Sequence, residues 1–133
     1  MAVQRLTVNR IAIEDKPGAL QEVLSAAADS DSNILHLAAF SVGAGKGEAY
    51  LVPDKTDALK DYTKSKGMEL EEYAGFLLSG IDRGGVGAEV TKPIADAGVN
   101  IVLSSANVVG GDYYLLIVVE QKDAEATAKA LGA

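Results

Sequence analysis

The segment Asp15-Lys16-Pro17-Gly18-Ala19-Leu20, followed by Asn33-Ile34, returns later in the chain as Asp82-Arg83-Gly84-Gly85-Val86-Gly87, followed by Asn100-Ile101. Asp15 and Asp82, Gly18 and Gly85, Asn33 and Asn100, and Ile34 and Ile101 each lie 67 positions apart. At the same offset Leu20, Val23, Leu24 and Ala27 meet Gly87, Val90, Thr91 and Ile94, so most of an apolar helical face is kept. A fixed-period repeat has to be read first, because it requires each copy to form the same supersecondary unit. Each copy here offers a strand, a tight glycine turn, a helix, and a second strand entered through Asn-Ile. The period is too long for a solenoid module. It suits a small α+β unit that gains from burying a face against its twin.

Local signals fill in the unit. Gln4 to Ile13 is rich in β-branched and aliphatic residues and reads as a strand. Asp15 to Gly18 forms the turn, with Pro17 suited to a helix entrance and Asp15 to an N-terminal cap. Leu20, Val23, Leu24 and Ala27 then follow the spacing of one helical face. Ile34 to Val42 is a second strand, Gly43 to Gly47 a hairpin tip, and Glu48 to Val52 a third strand. Asp57 to Lys66 reads as a second helix stopped by Gly67, and Met68 to Tyr73 has room for a fourth strand.

The order repeats from Gly75 to Ile81, with a helix starting near Gly85, strands at Ile101 to Val109 and Tyr113 to Glu120, and a helix at Ala124 to Leu131. Pro93 inside the first of these helices predicts a kink. The expected fold is α+β: two tandem ferredoxin-like βαββαβ units, the second lacking its last strand, with antiparallel sheets and helices on one face. The expected domains are 1–73 and 74–133. On this reading the edge of Phe76 to Ile81 needs cover from Met68 to Tyr73 or from another copy of the chain, Met1 to Gln4 being too short.

Composition narrows the function. Of 133 residues 48% are hydrophobic, enough for one compact domain or two small ones. A net charge of −7 argues against nucleic acid, whose phosphates are met by clustered Lys and Arg. The absence of cysteine excludes disulfides and thiolate metal sites and favours a reduced, cytoplasmic protein. No stretch has the length of a membrane span, and the N-terminus lacks a signal-peptide core.

Several motifs look like chemistry and are not. Gly85-Val86-Gly87-Ala88-Glu89-Val90 opens a helix but lacks the third glycine and the parallel βαβ context of a dinucleotide site. Gly43-Ala44-Gly45-Lys46-Gly47 joins two strands and lacks phosphate-loop spacing. His36, the single histidine, has no cysteine or motif carboxylate beside it, which argues against metal or catalysis. No nucleophile is matched with a base, so no enzyme, no cofactor and no metal site are expected. The βαββαβ order also occurs in RNA-recognition domains, but two Phe, five Tyr and an acidic chain do not make their aromatic, basic surface.

The Asp-x-Pro-Gly turn with Asn-Ile at the second strand resembles the ACT domain, the small-molecule sensing module of amino-acid metabolism. The first copy matches closely. The second has Gly84 for proline and an extra Gly87, though Ala97-Gly98-Val99-Asn100-Ile101 is typical. The resemblance covers about Gln4 to Leu131 as a tandem with no catalytic domain attached. It implies an amino-acid ligand held by backbone groups of the first turn and the start of the second strand, often across an interface between units. The implied ligand-binding residues are Asp15, Lys16, Gly18, Ala19, Asn33 and Ile34 in the first copy. In the second they are Asp82, Gly84, Gly85, Val86, Asn100 and Ile101.

Elementary chemistry points to the same places. A helix N-terminus offers unpaired amides and partial positive charge to a carboxylate. Glycine admits a ligand close to the backbone, and an asparagine amide donates and accepts at once. The alternative is that the glycines only make tight turns and the asparagines only suit a loop-to-strand junction. The expected function is a regulatory protein that senses an amino acid or related carboxylate and signals to a partner enzyme or regulator. The rival is a structural or interaction subunit without a ligand. Strands apolar on both faces, such as Tyr113 to Val119, add the expectation of a homodimer.

Overall fold

A computed structural model describes every residue, Met1–Ala133. Six strands and four helices follow one another as β1 (Ala2–Glu14), α1 (Ala19–Asp29), β2 (Ile34–Gly43), β3 (Lys46–Pro53), α2 (Asp57–Lys66), β4 (Leu70–Ile81), α3 (Val86–Asp96), β5 (Leu103–Val109), β6 (Asp112–Val119) and α4 (Ala124–Leu131). The βαββαβ order therefore repeats, in an α+β, ferredoxin-like arrangement of antiparallel strands. The chain forms two compact units, Thr7–Glu72 and Met1–Leu6 with Tyr73–Ala133.

In the unit Thr7–Glu72 the strand order is β2-β3-β1, with the first residues of β4 beyond β1. Asn9 to Glu14 pair with Leu51 to Lys46, and β2 pairs with β3 in turn. Alternation along these strands turns Ile11, Ala49 and Leu51 toward the helices. There they meet Val23, Ala27 and Leu59 in one buried cluster, with Leu20 and Leu24 packed against it. The helical face expected from spacing is the face that packs.

The other unit has its own core of Phe76, Leu78, Ile94, Leu115, Ile117 and Val119, among others. β4 pairs with β6 from Ala74 to Ile81, and β5 with β6. α3 is one helix of 11 residues that contains Pro93. Proline falls in the last turn, so a single carbonyl, that of Glu89, loses its amide partner and the helix runs on to Asp96.

The missing strand is supplied by the N-terminus, which corrects the expectation that Met1 to Gln4 is too short. β1 is 13 residues long, and its first part belongs to the unit of Tyr73–Ala133. β1 is the neighbour of β4 on the side away from β6. Val3 packs on the Phe76 cluster. The Arg5 guanidinium lies 5.8 Å from the Phe76 ring centroid and pairs with Glu125 at 2.7 Å. A Cβ placed on Gly80 would lie 3.5 Å from Met1. The physical reason is that one strand, continued backwards by six residues, can flank β4 as a fourth strand would. Neither Met68 to Tyr73 nor another copy is required, and that argument for a homodimer falls. The units also differ from the expected 1–73 and 74–133 by this N-terminal segment.

Candidate functional site

The first turn connects β1 to α1 and lies beside the β2–β3 hairpin. The Asp15 amide donates to the Gly45 carbonyl at 3.0 Å, and Ser41 Oγ donates to the Asp15 carboxylate at 2.7 Å. Asp15 is therefore held by the hairpin and does not cap the helix, which corrects the expected role. The residue before α1 is Gly18, at φ 87° and with no side-chain cap. That left-handed conformation strains any L-residue with a Cβ. Lys16 O accepts from the Ala19 amide at 3.3 Å, and Gly18 O accepts from Glu22 at 3.0 Å, closing the first helical turn.

A cavity of about 290 Å³ opens at this turn, lined by Asp15, Lys16 and Ala19 and, from the strands, by Phe40, Ser41 and Gly47 among others. A second of about 430 Å³ shares Lys16 and Ala19 and reaches Lys46, Tyr62, Lys66 and Glu69. Lys16 pairs back with Glu14 at 2.7 Å. Its ammonium, through that hydrogen bond, holds the Glu14 carboxyl below the ordinary carboxylate range, and Glu14 raises Lys16 in return. The first turn thus joins a helix N-terminus to polar and charged side chains around a volume suited to a small zwitterion.

Asn33 and Ile34 are elsewhere. Ile34 pairs with Pro53, whereas Ser41 pairs with Gly47, six residues along β3. At about 3.3 Å per residue the two ends of the strand are about 20 Å apart. β1 and β2 both run antiparallel to β3 and hence parallel to each other, so the end of β1 and the start of β2 cannot meet. Asn33 instead closes the far loop. Its amide donates to Asp54 Oδ1 at 2.8 Å, and its carbonyl accepts from the Asp54 amide at 2.9 Å. Its side chain is exposed.

The second turn repeats the three backbone bonds of the first but not its Ser41–Asp15 bond, Val108 standing where Ser41 does. Asp82 N donates to Gly111 O at 2.9 Å, Val86 N to Arg83 O at 3.3 Å and Glu89 N to Gly85 O at 3.0 Å. Gly85 has φ 86°. Gly84 is not among the positive-φ glycines, so its backbone carries no such requirement. Asn100 and Ile101 again lie at the opposite end, where Val102 N donates to Val118 O at 2.8 Å. Within either unit the turn residues come together and the Asn-Ile pair does not join them. Residues missed from sequence are Phe40, Ser41 and Gly47, and their signal was topological: a strand parallel to β1 brings its own far end to the turn.

Solved structures of similar fold were found. A protein from Bacteroides thetaiotaomicron aligns with TM-score 0.76 at 18% identity, over 96% of this chain and 88% of its own. The regulatory subunit of aspartate kinase from Thermus thermophilus, in a ligand-free form, aligns with TM-score 0.69 at 19% identity, over 98% and 93%. That from Thermus flavus aligns with TM-score 0.65 at 19% identity, over 98% and 94%. No family model matches the chain, and no curated protein matches it. The likeness at this identity is one of fold.

Proposed function

We propose that this chain is a regulatory protein that binds an amino acid or related small carboxylate at the turn Asp15–Ala19 and signals its presence to a partner enzyme. The observation that carries the reading is the cavity of about 290 Å³ at the left-handed Gly18 turn, where the N-terminal end of α1 meets Lys16 and the Ser41–Asp15 pair. A ligand carboxylate is drawn to the helix N-terminus, and its ammonium to Asp15. The fold likeness to aspartate kinase regulatory subunits supports regulation over catalysis. No cofactor, metal, nucleic acid or membrane enters the reading, and its setting is the cytoplasm.

Self-association is part of the proposal, now on different grounds. Leu35, Leu37, Phe40 and Val42 on the edge strand β2 are each at least 38% exposed, the kind of open apolar edge that folded proteins cover. A homodimer pairing these edges would place a second copy beside Ser41 and the cavity.

The test is a thermal-shift screen of the twenty common amino acids, followed by calorimetry on any that stabilise the protein. At least one is expected to bind. Silence across the set would leave the interaction-subunit reading in its place.

A further inference from the structure

The two turns match in backbone but exchange side-chain volume. In the first unit Ile13, Leu20 and Gly47 surround the cavity floor, with Gly47 opposite Ile13 in the β1–β3 pairing. At the offset of the repeat the second unit has Gly80, Gly87 and Tyr113, with Tyr113 opposite Gly80. Gly47 and Tyr113 are 66 positions apart, not 67, because β2 carries a bulge between Ser41 and Gly43 that β5 lacks. Two aliphatic side chains and a glycine in one copy become two glycines and an aromatic in the other.

The aromatic reaches the turn. A Cβ on Gly87 would lie 3.2 Å from the Tyr113 hydroxyl oxygen, so glycine in the first turn of α3 is what admits the phenol. A polar oxygen is thereby brought to the end of the helix where, in the first unit, a ligand carboxylate would sit. In the first unit nothing comparable arises from position 47. A Cβ there would meet the Phe40 carbonyl oxygen at 3.1 Å and Ile13 Cγ1 at 3.2 Å. The outer side differs too. Arg83 pairs with Glu89 across the first turn of α3, whereas Lys16, its counterpart, pairs back along the strand with Glu14.

We infer that the second turn is an internally occupied copy of the first, in which the Tyr113 phenol takes the place of a small ligand. Each chain then binds one amino acid, at Asp15–Ala19, and none at Asp82–Val86. This rests on the ligand-binding reading given above and fixes its stoichiometry.

The experiment is isothermal titration of the full chain with the amino acid that stabilises it most, for the wild type and for Tyr113→Ala. Tyr113→Leu, which keeps the core filled while withdrawing the hydroxyl, serves if the alanine variant does not fold. One site in the wild type and two in the variant are expected. Two sites in the wild type, or one in a folded variant, overturns the inference. Should no amino acid bind the wild type, the ligand-binding reading has failed, and a separate arm decides the occupancy. There 4-methylphenol, the detached side chain, should raise the melting temperature of Tyr113→Ala by several degrees and leave the wild type unmoved. No rise, or an equal rise in both, overturns it.

Discussion

The Ser41 hydroxyl donates to the Asp15 carboxylate at 2.7 Å, tying the last part of β2 to the turn that opens α1. Hairpin and helix entrance are therefore joined by a side-chain bond as well as by the bond from the Asp15 amide to the Gly45 carbonyl. Ser41→Ala is expected to lower stability by about 0.5 kcal/mol, the modest net worth of an exposed hydrogen bond. In a double-mutant cycle with Asp15→Asn, measured by urea midpoints, the two losses should not add.

Gly18 is the position where geometry is least forgiving. An added Cβ meets nothing within 4 Å, so the obstacle is the backbone at φ 87° and not a clash. Gly18→Val should weaken amino-acid binding at least tenfold, about 1.4 kcal/mol, by displacing the amides that would hold the carboxylate. Unchanged affinity in a folded variant, by calorimetry, would rule out the turn as the site.

Removing Met1–Leu6 should leave β4 with an open edge beside Phe76 and Leu78. The expected result is faster hydrogen exchange over Ala74–Ile81 and heavier species in sedimentation. A monomer with unchanged exchange would mean that the N-terminal strand is dispensable.

Asn9 is fully buried, and neither amide atom of its side chain has a hydrogen-bond partner. It shares a strand face with Ile11 and lies opposite Leu51, both in the core. Asn9→Leu should raise stability by about 1–2 kcal/mol, since a buried amide without partners is replaced by an apolar group of like size. Chemical denaturation checks this, and a fall in stability would show that the amide is bonded in solution.

Burial holds His36 below its ordinary value of 6.5 by disfavouring the charged ring. The unfolded chain takes up a proton as pH falls through about 6.5, and the folded chain resists it. This contribution is present above that pH and shrinks below it until the folded imidazole also titrates. Wild-type stability should therefore drop on acidification through this range by more than that of His36→Gln, which has no group to protonate there.

Much of the fold could be read from the repeat. Leu20, Val23, Leu24 and Ala27 at helical spacing, and the glycines at 18 and 85, placed both helices and both turns. What escaped depended on how elements sit in space. Asn33 is near Gly18 in motif, but a βαβ crossover makes its two strands parallel and sends the end of one and the start of the next to opposite ends. Ser41, with no motif to mark it, comes to the turn instead. The Tyr113–Gly87 exchange was hidden by the bulge in β2, which shifts the offset by one residue just before position 47. The N-terminal strand escaped because Met1 to Gln4 is too short when taken alone, whereas β1 runs unbroken from Ala2 to Glu14 and brings its first residues to β4.

That strand has a consequence for dissecting the protein. A cut between Tyr73 and Ala74 separates the copies in sequence yet leaves one fragment without a strand and the other with six residues of strand to spare. The fragments are thus expected to behave not as independent modules but as a complementation pair: mixing 1–73 with 74–133 would supply Val3 and Arg5 to Phe76 in trans and restore the strand that flanks β4.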